Sequence, residues 1–330
     1  MRPFKYTRAN EPSLAVRAAV ANVESMYVAG GTNILDLMRE GVESPSELVD
    51  VHSLLLTQMK TSGVGISIGA LAKNSDTANH PLVRQDYPLL TQAILAAASP
   101  QIRNMATNGG NLLQRTRCPY FYDISQPCNK REPGTGCSAM EGINRNHAIF
   151  GWSETCVAVH PSDMCVALAA LDAQVRVQGT DGKDRLIPFA DFHRLPGNTP
   201  EKDTNLQHGE LITAIEIPKN NFAANSYYLK VRDRASYAFA LVSVAVALDI
   251  AGGKIKAARI AMGGVAHKPW RANAAEKALT GEAPTEANFR AAADAEMNVA
   301  KPLKHNGFKV DLGKRAIVLA LTRATSSVKG

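Results

Sequence analysis

No apolar run in this chain approaches the roughly 18 residues needed to cross a bilayer as a helix; the longest, Leu241–Leu248, stops at Asp249. The N-terminus, Met1-Arg-Pro-Phe-Lys-Tyr-Thr-Arg-Ala-Asn10, has no apolar h-region, so no signal peptide is expected. An oxidising compartment would then be reached only folded and attached to an exported partner. Cysteine is missing from most of the sequence: Cys118, Cys128, Cys137, Cys156 and Cys165 all fall between positions 118 and 165. Core thiols would be scattered, so this clustering needs a cause. No internal repeat or low-complexity tract is present. Charge is dilute, with 37 Lys and Arg against 30 Asp and Glu for a net of +7, which argues against a nucleic-acid partner. What remains is ordinary folded composition, 330 residues with 45% hydrophobic and 20% charged content, enough for two domains or a large one with subdomains.

Hydrophobic patterning predicts a helix over 13–23, a buried strand over 26–28 that runs into Ala29-Gly30-Gly31-Thr32-Asn33, and a helix opening at 35–38. Strands are expected at 48–51 and 65–70, and a small-residue helix at 89–98. From 114 to 153, prolines and glycines interrupt any periodicity, and so long an irregular segment is usually functional. Ser162-Asp163 can cap a helix through 171. Asp181-Gly182 marks a hairpin between 175–177 and 185–187. A surface loop at 193–208, a strand at 210–218 and a linker at 220–225 follow. Strands at 227–232, 242–250 and 254–262, then helices near 272–279, 286–297 and 314–326, complete the chain.

Tyr27-Val28-Ala29-Gly30-Gly31-Thr32-Asn33-Ile34 places two glycines after a strand, where backbone N–H groups can approach a ligand. Successive amides make a concave anion site, to which a helix N-terminus adds a favourable dipole. Thr107-Asn108-Gly109-Gly110-Asn111 is a second such loop. Two of them suggest a dinucleotide, and the missing G-x-G-x-x-G after the first strand points away from a nicotinamide-type site and toward a flavin dinucleotide on another scaffold. Either loop could also be a plain turn. Cys118, Cys128, Cys137 and Cys156 follow the spacing C-x9-C-x8-C-x18-C. No short C-x2–4-C knuckle of structural zinc is present, and no secretion signal is expected that would favour disulfides. Iron–sulfur cluster, zinc and disulfides all remain open on spacing alone. Cys165, among Met164, Val166, Ala167 and Leu168, reads as a buried core thiol. Asp163 reads by default as a helix cap, Lys230 as a surface lysine, and His147, His160 and His267 as structural. No Ser/His/Asp or paired-carboxylate arrangement stands out.

These residues together resemble the FAD-binding subunits of the xanthine dehydrogenase family of molybdo-flavoenzymes, in particular the branch of bacterial periplasmic aldehyde oxidoreductases. The likeness runs from Phe4 to the C-terminal helix and is most specific at 29–38, 101–122, 230–245 and 263–270. It implies an α+β chain: two FAD-binding subdomains of the vanillyl-alcohol-oxidase type over 1–58 and 59–219, then a C-terminal sheet-and-helix domain over 225–330. It assigns Tyr27–Ile34 to the FAD pyrophosphate and Thr107–Asn111 to a second FAD loop, with further contacts at Asp163, Ile212 and Lys230. About 50 residues separate the Gly-Gly-Asn loop from Ser162-Asp163, where most such subunits have almost none. The branch with this insertion, here 115–156, carries a [4Fe–4S] cluster, which makes Cys118, Cys128, Cys137 and Cys156 its ligands.

The plant-type C-x4-C-x2-C run of a [2Fe–2S] protein is absent. The chain is also too short to hold a molybdenum centre, so it cannot hydroxylate an aldehyde alone. The resemblance therefore implies a heterotrimer with a [2Fe–2S] subunit and a molybdenum-cofactor subunit, passing electrons to an external acceptor. Periplasmic residence by folded co-export is expected, with cytoplasmic residence as the alternative. A basic excess over 101–150, with Arg103, Arg115, Arg117, Lys130, Arg131 and Arg145 against Asp123, Glu132 and Glu141, would suit an acidic partner surface. The rival readings are a stand-alone FAD reductase and a non-catalytic assembly protein held by zinc.

Overall fold

A computed structural model describes residues 1–326. Three sheets follow one another along the chain. The first is parallel, ordered β1-β3-β2 from β1 (Lys5–Arg8), β2 (Ser25–Val28) and β3 (Glu47–Asp50). Parallel neighbours need crossovers, and the helices Pro12–Ala21 and Ile34–Arg39 supply them. The second is antiparallel, ordered β4-β5-β8-β6-β7 from β4 (Met59–Ser62), β5 (Gly65–Gly69), β6 (Gln174–Gln178), β7 (Asp184–Pro188) and β8 (Leu211–Pro218). Between β5 and β6 lie the helices Asn74–Asn79, Pro81–Asp86 and Pro88–Ala96, then the irregular cysteine segment, then the helix Asp163–Ala170. The third sheet is antiparallel: β9 (Ser226–Val231), β10 (Val242–Ala251), β11 (Lys254–Gly263) and β12 (Trp270–Arg271) lie in the order β12-β11-β10-β9. The helices Asn273–Leu279, Glu286–Met297 and Phe308–Ser326 follow it.

The run Leu241–Leu248 explains how the third sheet is fastened to the rest. Its side chains alternate across β10. Val242, Val244, Val246 and Leu248 join Ile317, Ala320 and Leu321 of the last helix in one core. Ala245 and Ala247 face the other way, into the core that holds Met164, Ala167 and Leu168 of Asp163–Ala170. A strand buried on both faces needs no polar alternate residues, and the small ones let the helix approach. That packing brings β9, β10 and the start of Asp163–Ala170 to one place, where the cleft opens. No helix among the described residues is long and apolar enough to cross a membrane.

Candidate functional site

A cleft of about 720 Å3 lies between the loop after β2, the helices and loops that follow β5, and the third sheet, within the usual range for small-molecule sites. Its wall takes Thr32 and Asn33 from the first Gly-Gly loop, Gly110 and Asn111 from the second, Asp163 from its helix and Lys230 from β9. The two loops are locked together. A Cβ on Gly30 would run into the Met105 carbonyl, so glycine lets the first turn lie directly on the backbone that enters the second. Gly31 has φ +71°, a left-handed conformation that glycine adopts without strain. Asn33 Oδ1 accepts from the Arg115 N–H at 2.9 Å, while its buried Nδ2, near the Tyr122 hydroxyl, makes no hydrogen bond of good geometry among the described residues. A donor held without a well-placed acceptor at a cleft wall is poised for a ligand oxygen.

Other expected residues support the wall without forming it. Thr107 Oγ1 accepts from the Gly110 N–H at 3.3 Å. Asn108 is fully buried and spends its side chain on Asn74 and Thr77. Gly109 packs on Ala70. Tyr27 donates to the Gly209 carbonyl at 2.8 Å, and Val28 and Ile34 pack in the small core beneath the first sheet, with Ala29 in an adjoining one. Ile212 is buried in β8 opposite Val177 and takes no part in the cleft wall. The helix Ile34–Arg39 is only six residues long, so the dipole expected behind the first loop is short. Asn74, which bonds Asn108 and Asn111 and lines the cleft, was not legible in the sequence.

Two default readings are corrected. Ser162, not Asp163, caps the helix, accepting from the Cys165 N–H at 3.1 Å. Lys230 is no surface lysine: its side chain is 4% exposed and its Nζ donates to Asp163 Oδ2 at 2.7 Å and to the Ala96 carbonyl at 3.1 Å. Tyr228 donates to the other Asp163 oxygen at 2.6 Å. Burial raises the Asp163 carboxyl and Lys230 opposes it. Lys230→Met leaves that carboxylate buried without its counter-charge, so a loss of about 3–5 kcal/mol is expected in denaturant unfolding. The double variant Lys230→Met/Asp163→Leu should recover much of it; no recovery would show that packing, not charge, sets the loss.

The four loop cysteines converge. Cys118, Cys128, Cys137 and Cys156 line one small cavity of about 10 Å3. Cys128 and Cys137 face each other across a bridge, closed by Asn129, whose Oδ1 accepts from the N–H groups of Gly134 and Gly136. The Ala158 N–H donates to Cys156 Sγ at 3.5 Å, and nearby backbone amides favour the thiolate form of Cys118 and Cys137. Burial nevertheless pushes the Cys118 thiol up to about 12 and Cys156 to about 11, the latter against the pull of Lys130, and it raises Cys137 too. Such a set holds thiols when empty and releases their protons to a soft cation that binds thiolate. Cys165 is apart, fully buried in the helix core, as expected.

Four of the six cations counted over 101–150 are spent on ion pairs within this chain. Lys130, 1% exposed, pairs with Asp203 and donates to the Pro200 carbonyl at 2.8 Å. Arg115 pairs with Glu43 and with Asp203 at 2.6 Å, Arg117 with Asp36 at 2.9 Å and Arg145 with Asp233 at 2.9 Å. Arg117 also lies over the Phe239 ring. Burial raises the Asp203 carboxyl, but Lys130 and Arg115 outweigh it and hold it well below the usual range.

The expected surface loop after His193 is buried at both His193 and Pro200, and His160, His193 and His267 sit beneath it uncharged. Burial pushes His193 and His267 down to about 4 and His160 well below its usual value. An unfolded histidine titrates near 6.5. The stability from keeping these rings neutral is therefore complete above that pH and lost as pH falls from 6.5 through 4, by up to about 1.4 kcal/mol per unit for each ring. Melting temperatures between pH 7.5 and 4.5 should fall accordingly. His193→Phe, beside Phe189 and Phe192, should flatten the slope; an unchanged slope refutes the assignment.

Comparison with known proteins agrees with this architecture. The FAD-binding domain in molybdopterin dehydrogenase matches residues 2–220, and the CO dehydrogenase flavoprotein C-terminal domain matches residues 227–324. The chain belongs to the FAD-binding subunits of the xanthine dehydrogenase family of oxidoreductases. It is 49% identical over 325 residues to the aldehyde oxidoreductase FAD-binding subunit PaoB of Escherichia coli (strain K12), covering 98% of this chain and 99% of that one. It is 30% identical over 280 residues to the glyceraldehyde dehydrogenase medium chain of Sulfolobus acidocaldarius, covering 84% and 82%. Among solved structures, carbon monoxide dehydrogenase from Hydrogenophaga pseudoflava superposes with a TM-score of 0.78 at 24% identity, over 99% of this chain and 98% of that one, which establishes the shared fold.

Proposed function

We propose that this chain is the FAD and [4Fe–4S] electron-transfer subunit of a molybdenum-dependent aldehyde oxidoreductase, passing electrons from a [2Fe–2S] subunit to an external acceptor. The observation that carries the cluster is the convergence of Cys118, Cys128, Cys137 and Cys156 on one cavity, where the Ala158 N–H donates to Cys156 Sγ at 3.5 Å. Hydrogen bonds of that kind favour thiolate and tune cluster potential. Aldehyde as the substrate class is supported by the names of the two relatives. We place the partners, a [2Fe–2S] subunit and a molybdenum subunit, in a heterotrimer, and the complex in the periplasm by co-export, with the cytoplasm as the alternative.

When bound, the cluster supplies one-electron transfer and the flavin converts between one- and two-electron chemistry. The chain's residues bind and orient. Thr32, Asn33, Gly110 and Asn111 would hold the polar part of FAD, the Asn33 side-chain N–H group meeting a phosphate or ribose oxygen. The Lys230–Asp163 pair fixes a buried dipole in the wall of the same cleft, beside Ser162, which bonds Asn111. The test is a metal, sulfide and flavin analysis of the complex purified anaerobically. One FAD and about four irons with matching sulfide per copy of this chain are expected; zinc without sulfide overturns the cluster, and absence of flavin overturns the cleft assignment.

A further inference from the structure

Of the four cavity cysteines, Cys118 alone also lines the large cleft. His147 lines the cleft beside it, with Nε2 3.1 Å from Cys118 Sγ. The ring is not adrift. Its own carbonyl accepts from Lys309 Nζ at 3.0 Å and from Asn306 Nδ2 at 3.2 Å, and both of those residues are fully buried. Its Nδ1 has no partner among the described residues, so the proton of a neutral imidazole is best placed on Nε2, where an acceptor lies.

We infer that the Cys118–His147 pair is the electronic link between the two sites, with His147 as a positioning residue whose Nε2–H donates to the Cys118 thiolate. The inference rests on the cluster proposed above. A sulfur bonded to iron shares its electron density, and a path through that sulfur into the cleft wall replaces a gap through space, across which transfer falls off much faster. No protein bond forms or breaks: one electron leaves one centre and enters the other. The hydrogen bond withdraws density from the thiolate, which stabilises the more negative, reduced state and raises the potential on the iron side.

The test uses the assembled complex with its flavin and iron quantified. His147→Leu is expected to keep both and to lower the cluster midpoint potential in an EPR-monitored redox titration. His147→Gln, which can still donate, should restore part of the shift. In wild-type complex carrying 15N-histidine, pulsed EPR of the reduced cluster should show coupling to one histidine nitrogen, lost in His147→Gln. Full iron in His147→Leu with an unmoved potential overturns the proposal. So does the absence of nitrogen coupling in the wild type, a measurement that still decides if His147→Leu sheds its iron. Wild-type complex without iron and sulfide overturns the cluster reading instead, before His147 is touched.

Discussion

Serine in place of Cys128 is expected to take iron from about four per chain to near none and to bleach the cluster's share of the visible spectrum. The residue is buried in the cavity, its backbone paired antiparallel with that of Cys137, and its own N–H donates to Thr135 Oγ1 at 3.1 Å. An alkoxide is a harder and far more basic ligand than a thiolate, so the fourth position is lost in chemistry while the side-chain shape stays nearly the same. Cys137→Ser should behave alike. Limited proteolysis should then cut more readily between 115 and 155, because the cavity loses whatever held its walls together. Cys165→Ser is the internal control: its thiol lies in the helix core, and burial pushes it up to about 12. That variant should keep its iron. Full iron in Cys128→Ser, or loss of it only in Cys165→Ser, means the ligand set is wrong.

Gly31→Val should yield a folded chain that holds FAD at least about tenfold more weakly. A β-branched residue at φ +71° carries a backbone penalty of roughly 1–2 kcal/mol or more. Its Cβ would also lie 2.8 Å from Leu35 Cδ1. The flexible leucine can give way, but the turn then shifts, and Thr32 and Asn33 are the next two residues and part of the cleft wall. A displacement worth 1.4 kcal/mol in binding is a factor of ten. Flavin content after gel filtration and far-UV circular dichroism together separate lost binding from lost folding. Gly110→Ala is a milder comparison, since its Cβ meets only Thr107 Oγ1 at 3.1 Å. Stoichiometric flavin in Gly31→Val would remove the first loop from the site.

The elements most legible in the sequence are those whose pattern is set locally. Glu286–Met297 is found at its expected limits, and Asp181-Gly182 turns between β6 and β7. Short polar elements escaped: β1 reads Lys-Tyr-Thr-Arg and β4 reads Met-Lys-Thr-Ser, and both are strands because a neighbour pairs with them, not because their residues alternate. The last helix begins at Phe308 rather than Lys314 because Lys309 and Gly313 look like surface and break, yet both are buried. The site divides in the same way. Gly-Gly turns and clustered cysteines are visible as strings. Asp203 is not: it sits in a proline- and glycine-rich loop, and its meaning comes from Lys130, 73 positions earlier. Lys230 hid for a related reason, since only the arrival of Asp163 makes an ammonium tolerable with its side chain 4% exposed between Leu229 and Val231.

The ion pairs that anchor the cysteine segment do not end on that segment. Arg145 reaches Asp233, Arg117 lies over Phe239, and both partners belong to the 233–241 stretch that walls the cleft. Order imposed on one cavity is thereby felt at the other, and such coupling is reciprocal by thermodynamic necessity: whatever factor an occupant of the small cavity adds to affinity in the cleft, the cleft's occupant returns. Where filling the small cavity orders the segment that walls the cleft, loading would be cooperative within a single chain, and each arrival would make the other harder to reverse.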